Sequence, residues 1–286
     1  MPLQAATGMV MATNTNTTTT QVAAWIAITA PAPQITPPMA ESPPMDADPP
    51  MEAAPAPAPG EARLRLFQLV SPALPVGAFS YSEGLEWLVQ HGRLADGAAV
   101  RAWLEAECRA GVLPIEAASL PELMHLLRRA GRDGPGAREA ALAVRERDNW
   151  LLAQREAPEL RAQQRQMGGS LGQLLADLGW PPPVEAAPLA WTAAWAWAGL
   201  CLEIPPAELV EAYLYAWTAS QLSAAVRLVP LGPTEAQRLQ LALAPGLAHR
   251  ARELVASDPR TLWNAGVGAG LAQLGHGELY SRLFRS

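Results

Sequence analysis

The sequence predicts an all-α protein: a single helical bundle of roughly eight to ten helices, preceded by a disordered Pro/Ala/Thr-rich N-terminal extension. From Glu61 onward, apolar residues recur with the 3.6-residue period of an α-helix, and no segment shows sustained strand alternation. Alanine and leucine dominate this region, whereas threonine and isoleucine are scarce. The usual length of globular helices then gives the number of helices expected.

The first 60 residues differ in composition from the rest of the chain. They hold 12 of the 28 prolines, four acidic residues and no basic residue. Alternating proline and alanine favours extended polyproline conformations, and such a segment has little apolar surface to offset the entropy of ordering. We therefore predict two parts, a disordered low-complexity extension over residues 1–60 and a helical domain over residues 61–286.

Charge and cysteine content exclude several classes of function. All 21 basic residues are arginine, so lysine Schiff-base chemistry and a Walker-type phosphate loop are excluded. The net charge of −6 gives no electrostatic footprint for nucleic acid. Cys108 and Cys201 lie far apart in helix-like sequence, which favours a reducing cytoplasm over a disulfide framework. The apolar stretch 22–28 is too short to span a membrane, and no basic residue precedes Arg63, as a signal peptide would require.

Caps and apolar spacing place the first helices in order. Ser80 or Ser82 is the predicted N-cap of a helix that ends near Gly92. Asp96 is the predicted N-cap of the next helix. Its apolar face consists of Val100, Trp103, Leu104 and Cys108.

Capping boxes and prolines place the later helices. Ser119 with Glu122, and Thr234 with Gln237, have the capping-box spacing and predict two helix starts. A long amphipathic helix ends near Gly179. Further starts are predicted at Pro205–Pro206 and at Asp258–Pro259.

Two further patterns indicate how helices face the core and the solvent. Trp191, Trp195 and Trp197 lie on one short helical stretch, and aromatic residues at this spacing are typical of a core or a helix–helix interface. Residues 138–165 mix acidic and basic side chains at i, i+3 and i+4, which predicts a solvent-exposed helix face.

No complete catalytic or metal-binding set is present in the sequence. Glu122-x-x-His125 has the spacing of half a carboxylate-bridged di-iron site, but no second copy follows. Gly266-x-Gly268-x-Gly270 lacks the strand or lysine of a phosphate loop and indicates close helix packing. We therefore predict no catalytic residue, metal or cofactor, and favour a scaffold over an enzyme. The alternative is a helical metal- or cofactor-binding enzyme that uses Glu122 and His125.

The last seven residues have the composition of a binding anchor. Tyrosine, phenylalanine and arginine are common in interaction hot spots, whereas chain ends are usually polar. Tyr280, Leu283 and Phe284 would share one face if this segment were helical. We predict a partner-binding tail, mobile alone or held by a neighbouring subunit; the alternative is a last helix folded onto its own core. The residues of the tail are Tyr280, Ser281, Arg282, Leu283, Phe284, Arg285 and Ser286.

A rigid turn is predicted around Pro75 and Gly77. Proline restricts its own φ, and glycine can adopt the positive φ that a side chain would strain. This turn would present Phe79 and Tyr81 to the following helix or to a partner.

Four blocks in the same order resemble the UreF family of urease accessory proteins. They span 66–86, 155–175, 225–232 and 280–286, and the first and last are long and specific. The first block carries the signature residues Pro75, Gly77, Phe79, Ser80, Tyr81, Gly84 and Glu86.

This resemblance implies an all-helical, dimeric, non-enzymatic component of a nickel-chaperone complex. Such proteins bind a UreD-type partner (UreH in some systems), recruit and modulate the GTPase UreG, and support nickel insertion into the urease apoprotein. The tail is then the segment that the UreD-type partner orders. Arg227 becomes the GTPase-facing candidate; the alternative is an arginine that satisfies helix-end carbonyls beside Pro230. Gly277 stands where members often have glutamate, which argues against a polar relay through His276.

Overall fold

The polypeptide runs from helix to helix without a strand in the part of the chain that the structure describes. This structure, a computed structural model, describes residues 59–184 and 188–286, so the predicted extension lies almost entirely outside it. Ten α-helices and two 3-10 helices occur in the described residues, which confirms the all-α prediction and the expected number of helices. The α-helices are α1 (Pro59–Leu69), α2 (Leu85–Gln90), α3 (Gly97–Ala110), α4 (Leu113–Ala130), α5 (Ala137–Ala153), α6 (Pro158–Asp177), α7 (Trp191–Cys201), α8 (Pro206–Leu228), α9 (Pro233–Val255) and α10 (Val267–His276). The 3-10 helices are Ala78–Ser80 and Pro259–Thr261.

Helix α4 lies at the centre of the bundle. It contacts α3, α5, α7, α8 and α9, and side chains are buried along most of its length. Leu120, Leu123 and Leu127 are completely buried. A helix that is covered on all sides needs apolar residues around its circumference, which the sequence of α4 supplies. Outside this centre, α6 packs on α7, α8 on α9 and α10 on α2.

Several predicted helix ends are confirmed. The side chain of Asp96 accepts a hydrogen bond from the Ala99 amide, 2.9 Å away, and caps α3. Asp258 caps its 3-10 helix through the Arg260 amide at 3.0 Å. Pro205 is the N-cap of α8, and the predicted long helix, α6, ends before Gly179, whose φ is +91°. These ends depend on local chemistry, which is why the sequence shows them.

Both predicted capping boxes are wrong. Ser119 lies inside α4, where its hydroxyl donates to the Ile115 carbonyl, and the helix continues through Pro121. The burial of α4 on all sides supports the helix across this proline. Thr234 is likewise inside α9, which begins at Pro233 with Gly232 as its N-cap.

The tryptophan-rich helix α7 is part of the core, as predicted. Trp195 is almost completely buried, and Trp191 and Trp197 are partly buried against the same cluster. The Trp195 ring lies 5.1 Å from that of Trp191 and 5.6 Å, edge to face, from that of Tyr213. Such aromatic contacts connect α7 with α8.

The predicted solvent-exposed face over residues 138–165 is wrong in its central part. Arg147, Asp148 and Arg155 are buried, and each of them forms a hydrogen bond with a residue on another element. Asp148 accepts the Ala190 amide at 3.0 Å, and Arg147 donates to Glu122 at 3.0 Å.

Among the residues described, none of the helices combines the length and apolar character that crossing a bilayer requires.

Candidate functional site

The turn after α1 has the conformation that its glycine predicts. Gly77 has a φ of +73° and a ψ of +16°, in the left-handed region, and directly precedes the 3-10 helix Ala78–Ser80. The turn points Phe79 outward, where it is largely exposed, and buries Tyr81. Pro75 is exposed and Val76 is buried beside it. The signature therefore has one exposed aromatic residue and one that belongs to the core.

The predicted serine cap of α2 is wrong. Its N-cap is Gly84, with a φ of +88° and no side-chain cap bond. Ser82 instead donates its hydroxyl to the Ser286 carbonyl at 2.7 Å, while the Glu86 amide approaches Ser82 Oγ at 3.4 Å. Ser80 offers its carbonyl to the Arg285 amide at 2.9 Å. Both serines therefore receive the end of the chain, and Ser82 also accepts the Glu86 amide in the first turn of α2 although it is not the N-cap residue.

The tail, residues 280–286, leaves α10 without forming another helix and lies along residues 80–86 of the same chain. The Ser286 carbonyl accepts the amides of Ser82 and Glu83 at 2.7 and 3.0 Å. The Ser286 hydroxyl donates to Gln163 at 2.6 Å. The tail is thus held by its own subunit, which is close to the alternative of a folded-back terminus, although no helix is involved.

The expectation that Tyr280, Leu283 and Phe284 share one helical face is wrong. Phe284 is 4% exposed, Leu283 is 53% exposed and Tyr280 is fully exposed. A seven-residue helix has too few internal hydrogen bonds to be stable alone, and here the backbone bonds to residues 80–86 instead. Phe284 therefore anchors the tail, and the two other side chains, with Arg282 and Arg285, face solvent.

Glu86 receives the backbone of the tail. It lies in the first turn of α2 and is 3% exposed. One carboxylate oxygen accepts the Leu283 amide at 2.7 Å and the other accepts the Phe284 amide at 3.1 Å. His276 Nε2 lies 3.1 Å from the second oxygen. His276 thus contacts a buried carboxylate, but its Nδ1 has no hydrogen-bond partner among the described residues, so no polar relay continues through it, in agreement with the expectation drawn from Gly277.

A buried ion network lies behind the tail. Arg155 donates two hydrogen bonds to Glu116, at 2.8 and 2.9 Å, and one to Glu83 at 3.2 Å. Tyr213 also donates to Glu116 at 3.0 Å. Gln163 donates to Glu83 at 2.8 Å and connects the network to Ser286. Such a network requires every member, because removing one leaves a buried charge unpaired.

The network changes proton affinities in its surroundings. Burial lowers the proton affinity of the Arg155 guanidinium, but the carboxylates of Glu116 and Glu83 outweigh it and raise its pKa. Burial raises the pKa of Glu116, against the opposing effect of Arg155. Burial likewise raises the pKa of Glu107 to about 7; Arg155 opposes this shift and Glu83 adds to it. Sequence reasoning missed this network, since its members lie on four separated segments.

Arg227 lies beside the tail. Its guanidinium carbon is 4.4 Å from the centroid of the Phe284 ring, in a cation–π arrangement, and Nη1 donates to the Phe79 carbonyl at 3.3 Å. These contacts differ from the alternative prediction, in which Arg227 satisfies helix-end carbonyls beside Pro230. The arginine remains exposed at the C-terminal end of α8.

An apolar stripe on α10 was not predicted. Val267, Leu271 and Leu274 are exposed at i, i+4 and i+7, and Trp263 is exposed just before the helix. This spacing places the three aliphatic side chains on one face. The periodicity is readable in the sequence, but only the structure shows that this face points away from the core.

The Glu122-x-x-His125 pair does not form a metal site. The Glu122 carboxylate lies between two guanidinium groups, 3.0 Å from Arg147 and 2.8 Å from Arg260. His125 is exposed. Across 59–184 and 188–286, no group of three or more His, Cys, Asp or Glu side chains has an arrangement that could hold a metal.

The glycines 266, 268 and 270 lie at the start of α10. A Cβ at Gly270 would lie 2.9 Å from Glu156 Oε2, the end of a flexible side chain that lies outside the helices, so the contact does not confirm close helix packing there. A Cβ at Gly268 would meet open space, and the prediction is wrong for that residue.

Comparison with known proteins gives a consistent result. Residues 94–244 match the sequence model of the UreF family. The urease accessory protein UreF of Alkalilimnicola ehrlichii is 40% identical over 234 residues, covering 80% of this chain and 97% of that protein. Proteins of the same name from Prochlorococcus marinus and from a Synechocystis species are 34% and 35% identical, each covering 79% of this chain and 99% of the relative.

Proposed function

Since this chain belongs to the UreF family of urease accessory proteins, and is therefore an accessory protein rather than an enzyme, we propose that it is a scaffold for nickel delivery to the urease apoprotein. In this role it binds a UreD- or UreH-type protein and recruits and modulates a UreG-type GTPase. Nickel is the cargo of the assembly. The observation that carries the proposal is the uncovered apolar surface of α10 and the tail.

The UreD-type partner is proposed to bind this surface. The exposed side chains are large and apolar, and exposed apolar patches mark interaction sites on soluble domains. Arginines at 282 and 285 flank the apolar residues of the tail and can form bidentate contacts with carboxylates. The residues of this surface are Trp263, Val267, Leu271, Leu274, Tyr280, Arg282, Leu283 and Arg285.

The GTPase is proposed to approach near Arg227. An arginine that acts on a GTPase must be able to reach the bound nucleotide, and Arg227 is exposed at a helix end. Its contact with Phe284 places it next to the tail, so that the two proposed partner sites are neighbours.

A homodimer is the proposed oligomeric state. The sequence of α8 is apolar around most of its circumference, yet Tyr215 is exposed and Ala216 and Ala219 are only partly buried. A second copy could cover this face.

Both cysteines are free, which supports a cytoplasmic location.

The test replaces the exposed apolar residues of the tail. In a Tyr280→Ala, Leu283→Ala double variant, affinity for the UreD-type protein should fall at least about 30-fold, since a single hot-spot side chain contributes on the order of 2 kcal/mol. The melting temperature should stay unchanged because both side chains are exposed. Isothermal titration calorimetry measures the first quantity and circular dichroism the second.

The matched control is Leu142→Ala, Leu241→Ala, which removes two exposed leucines on α5 and α9. It should bind like the wild-type protein. Wild-type affinity in the tail variant, or an equal loss in the control, would rule out the tail as the binding site.

A further inference from the structure

A cavity of about 370 Å³ lies between the turn after α1 and the helices α6, α7 and α8. Its wall is largely apolar and includes Val76, Met167 and Trp195. Phe79 and Tyr215 also line the cavity and are exposed, so that it opens to the surface on their side. Sites for small molecules commonly have volumes of about 300–1,000 Å³ and walls that are mostly apolar. The size and lining of this cavity therefore suit a small molecule.

The charged groups beside the cavity are already paired within the protein. Glu83 accepts hydrogen bonds from Arg155, Gln163 and Trp217 at 3.2, 2.8 and 3.1 Å. Arg155 donates two further hydrogen bonds to Glu116. A ligand is therefore not needed to neutralise either charge. Because the two carboxylates outnumber the one guanidinium, this wall also disfavours an anion. An uncharged ligand fits these surroundings.

Two other polar groups on residues of the wall have no partner. Trp195 Nε1 and Gln221 Oε1 are buried, and neither forms a hydrogen bond with any residue that the structure describes. The two residues are 1% and 2% exposed. Such groups are rare in folded proteins, because leaving a buried donor or acceptor unpaired costs free energy. The indole N–H is a donor and the amide oxygen an acceptor, so a matching ligand must both accept and donate a hydrogen bond.

We propose that this cavity is a binding site for a small, uncharged, largely apolar molecule that carries a hydroxyl or amide group. Either group accepts and donates hydrogen bonds, and the aromatic side chains of the wall hold the apolar part of the molecule. The inference does not depend on the proposed role of the tail, because the lining residues all lie between positions 69 and 223.

The test measures binding of three probes with the same ring system to the full-length chain by equilibrium dialysis. 2-Naphthol carries a hydroxyl group, naphthalene carries none, and 2-naphthoate carries a negative charge. 2-Naphthol should bind at one molecule per chain and about 10-fold more tightly than naphthalene, because only its hydroxyl can bond to the two unpartnered groups. 2-Naphthoate should bind most weakly. Equal affinities for 2-naphthol and naphthalene, or no saturable binding of either, would overturn the proposal and leave the cavity to water.

The first variant, Gln221→Met, removes the acceptor at nearly constant side-chain volume. It should lower the affinity for 2-naphthol about 5-fold and leave the affinity for naphthalene unchanged. Gln240→Met is the matched control. Gln240 is buried on α9, its amide atoms also have no partner among the described residues, and it lies outside the cavity wall. Equal effects of the two variants on 2-naphthol would rule out the assigned site.

A second variant, Trp195→Phe, tests the donor and guards against misfolding of Gln221→Met. It removes the indole N–H and keeps an aromatic ring, so the preference for 2-naphthol over naphthalene should again fall. The control is Trp103→Phe, since Trp103 Nε1 likewise lacks a partner among the described residues and Trp103 does not line the cavity. A wild-type preference in Trp195→Phe would contradict the proposal.

A final arm distinguishes this ligand from the proposed cargo. Ni²⁺ alone, added as the chloride, should not displace 2-naphthol, since the described residues hold no group of three or more His, Cys, Asp or Glu side chains suited to a metal. Displacement would assign the cavity to the cation and overturn the proposal. Each dialysis runs to equilibrium, because a second copy on the α8 face would cover the opening near Tyr215 and slow entry.

Discussion

At the scale of single residues, the buried carboxyl of Glu107 makes the stability of the fold depend on pH. Burial raises its pKa from an ordinary value of 4.5 to about 7; Arg155 opposes the shift and Glu83 adds to it. The folded state therefore binds this proton more tightly than the unfolded state. The resulting stability is fully present below pH 4.5 and is lost as the pH rises through 7.

Glu107→Gln should remove this loss of stability. The free energy of unfolding of the variant, relative to the wild type, should rise between pH 4.5 and pH 8 by at most about 3 kcal/mol, as a shift of 2.5 pKa units implies. Urea unfolding at several pH values measures the difference. Glu139→Gln is the exposed control and should show no such trend. A constant difference between Glu107→Gln and wild type across this range would contradict the raised pKa.

At the scale of secondary-structure elements, Gly84 determines how closely α2 approaches α10. A Cβ on this residue would lie 2.9 Å from the Gln273 amide nitrogen and 3.1 Å from the Ala272 carbonyl carbon. Gly77 has a similar positive φ, but nothing lies within 4 Å of the Cβ position. Substitutions at the two glycines therefore distinguish the cost of backbone strain from the cost of crowding between helices.

Gly77→Ala should destabilise the protein by about 1–2 kcal/mol, the cost of a left-handed conformation. Gly84→Ala should cost about 1–3 kcal/mol more, because the added methyl group pushes α10 from α2. Urea unfolding of the two variants gives the comparison. Equal losses would show that α10 moves away freely, and that the close approach at Gly84 is unimportant.

At the scale of the whole molecule, the N-terminal extension should be dispensable. Its composition predicts disorder, and the UreF relatives align over 96–99% of their own length while covering only 77–80% of this chain. Deleting residues 1–60 should leave the melting temperature and the affinity for the UreD-type protein unchanged. Calorimetry of the truncated and full-length chains tests this, and a loss in either quantity would assign the extension a role in the helical part or in the interface.

The sequence by itself determined those features that depend on neighbouring residues. The helical period, the caps at Asp96 and Asp258, the start of α8 after Pro205 and the left-handed turn at Gly77 all follow from local backbone chemistry. Capping and φ preferences act over three or four residues, so a single sequence is sufficient to reveal them. The signature blocks likewise indicated the family.

Only the tertiary structure decided the features that depend on residues far apart in the chain. Helix α4 continues through Pro121 because five other helices cover it. Arg155 is buried rather than exposed because carboxylates from two distant segments neutralise it. The tail is extended rather than helical because Glu86, almost 200 residues earlier, accepts its amides. Such contacts are stabilised by burial and charge pairing between residues far apart in the chain, and a local sequence pattern does not show which residues will meet.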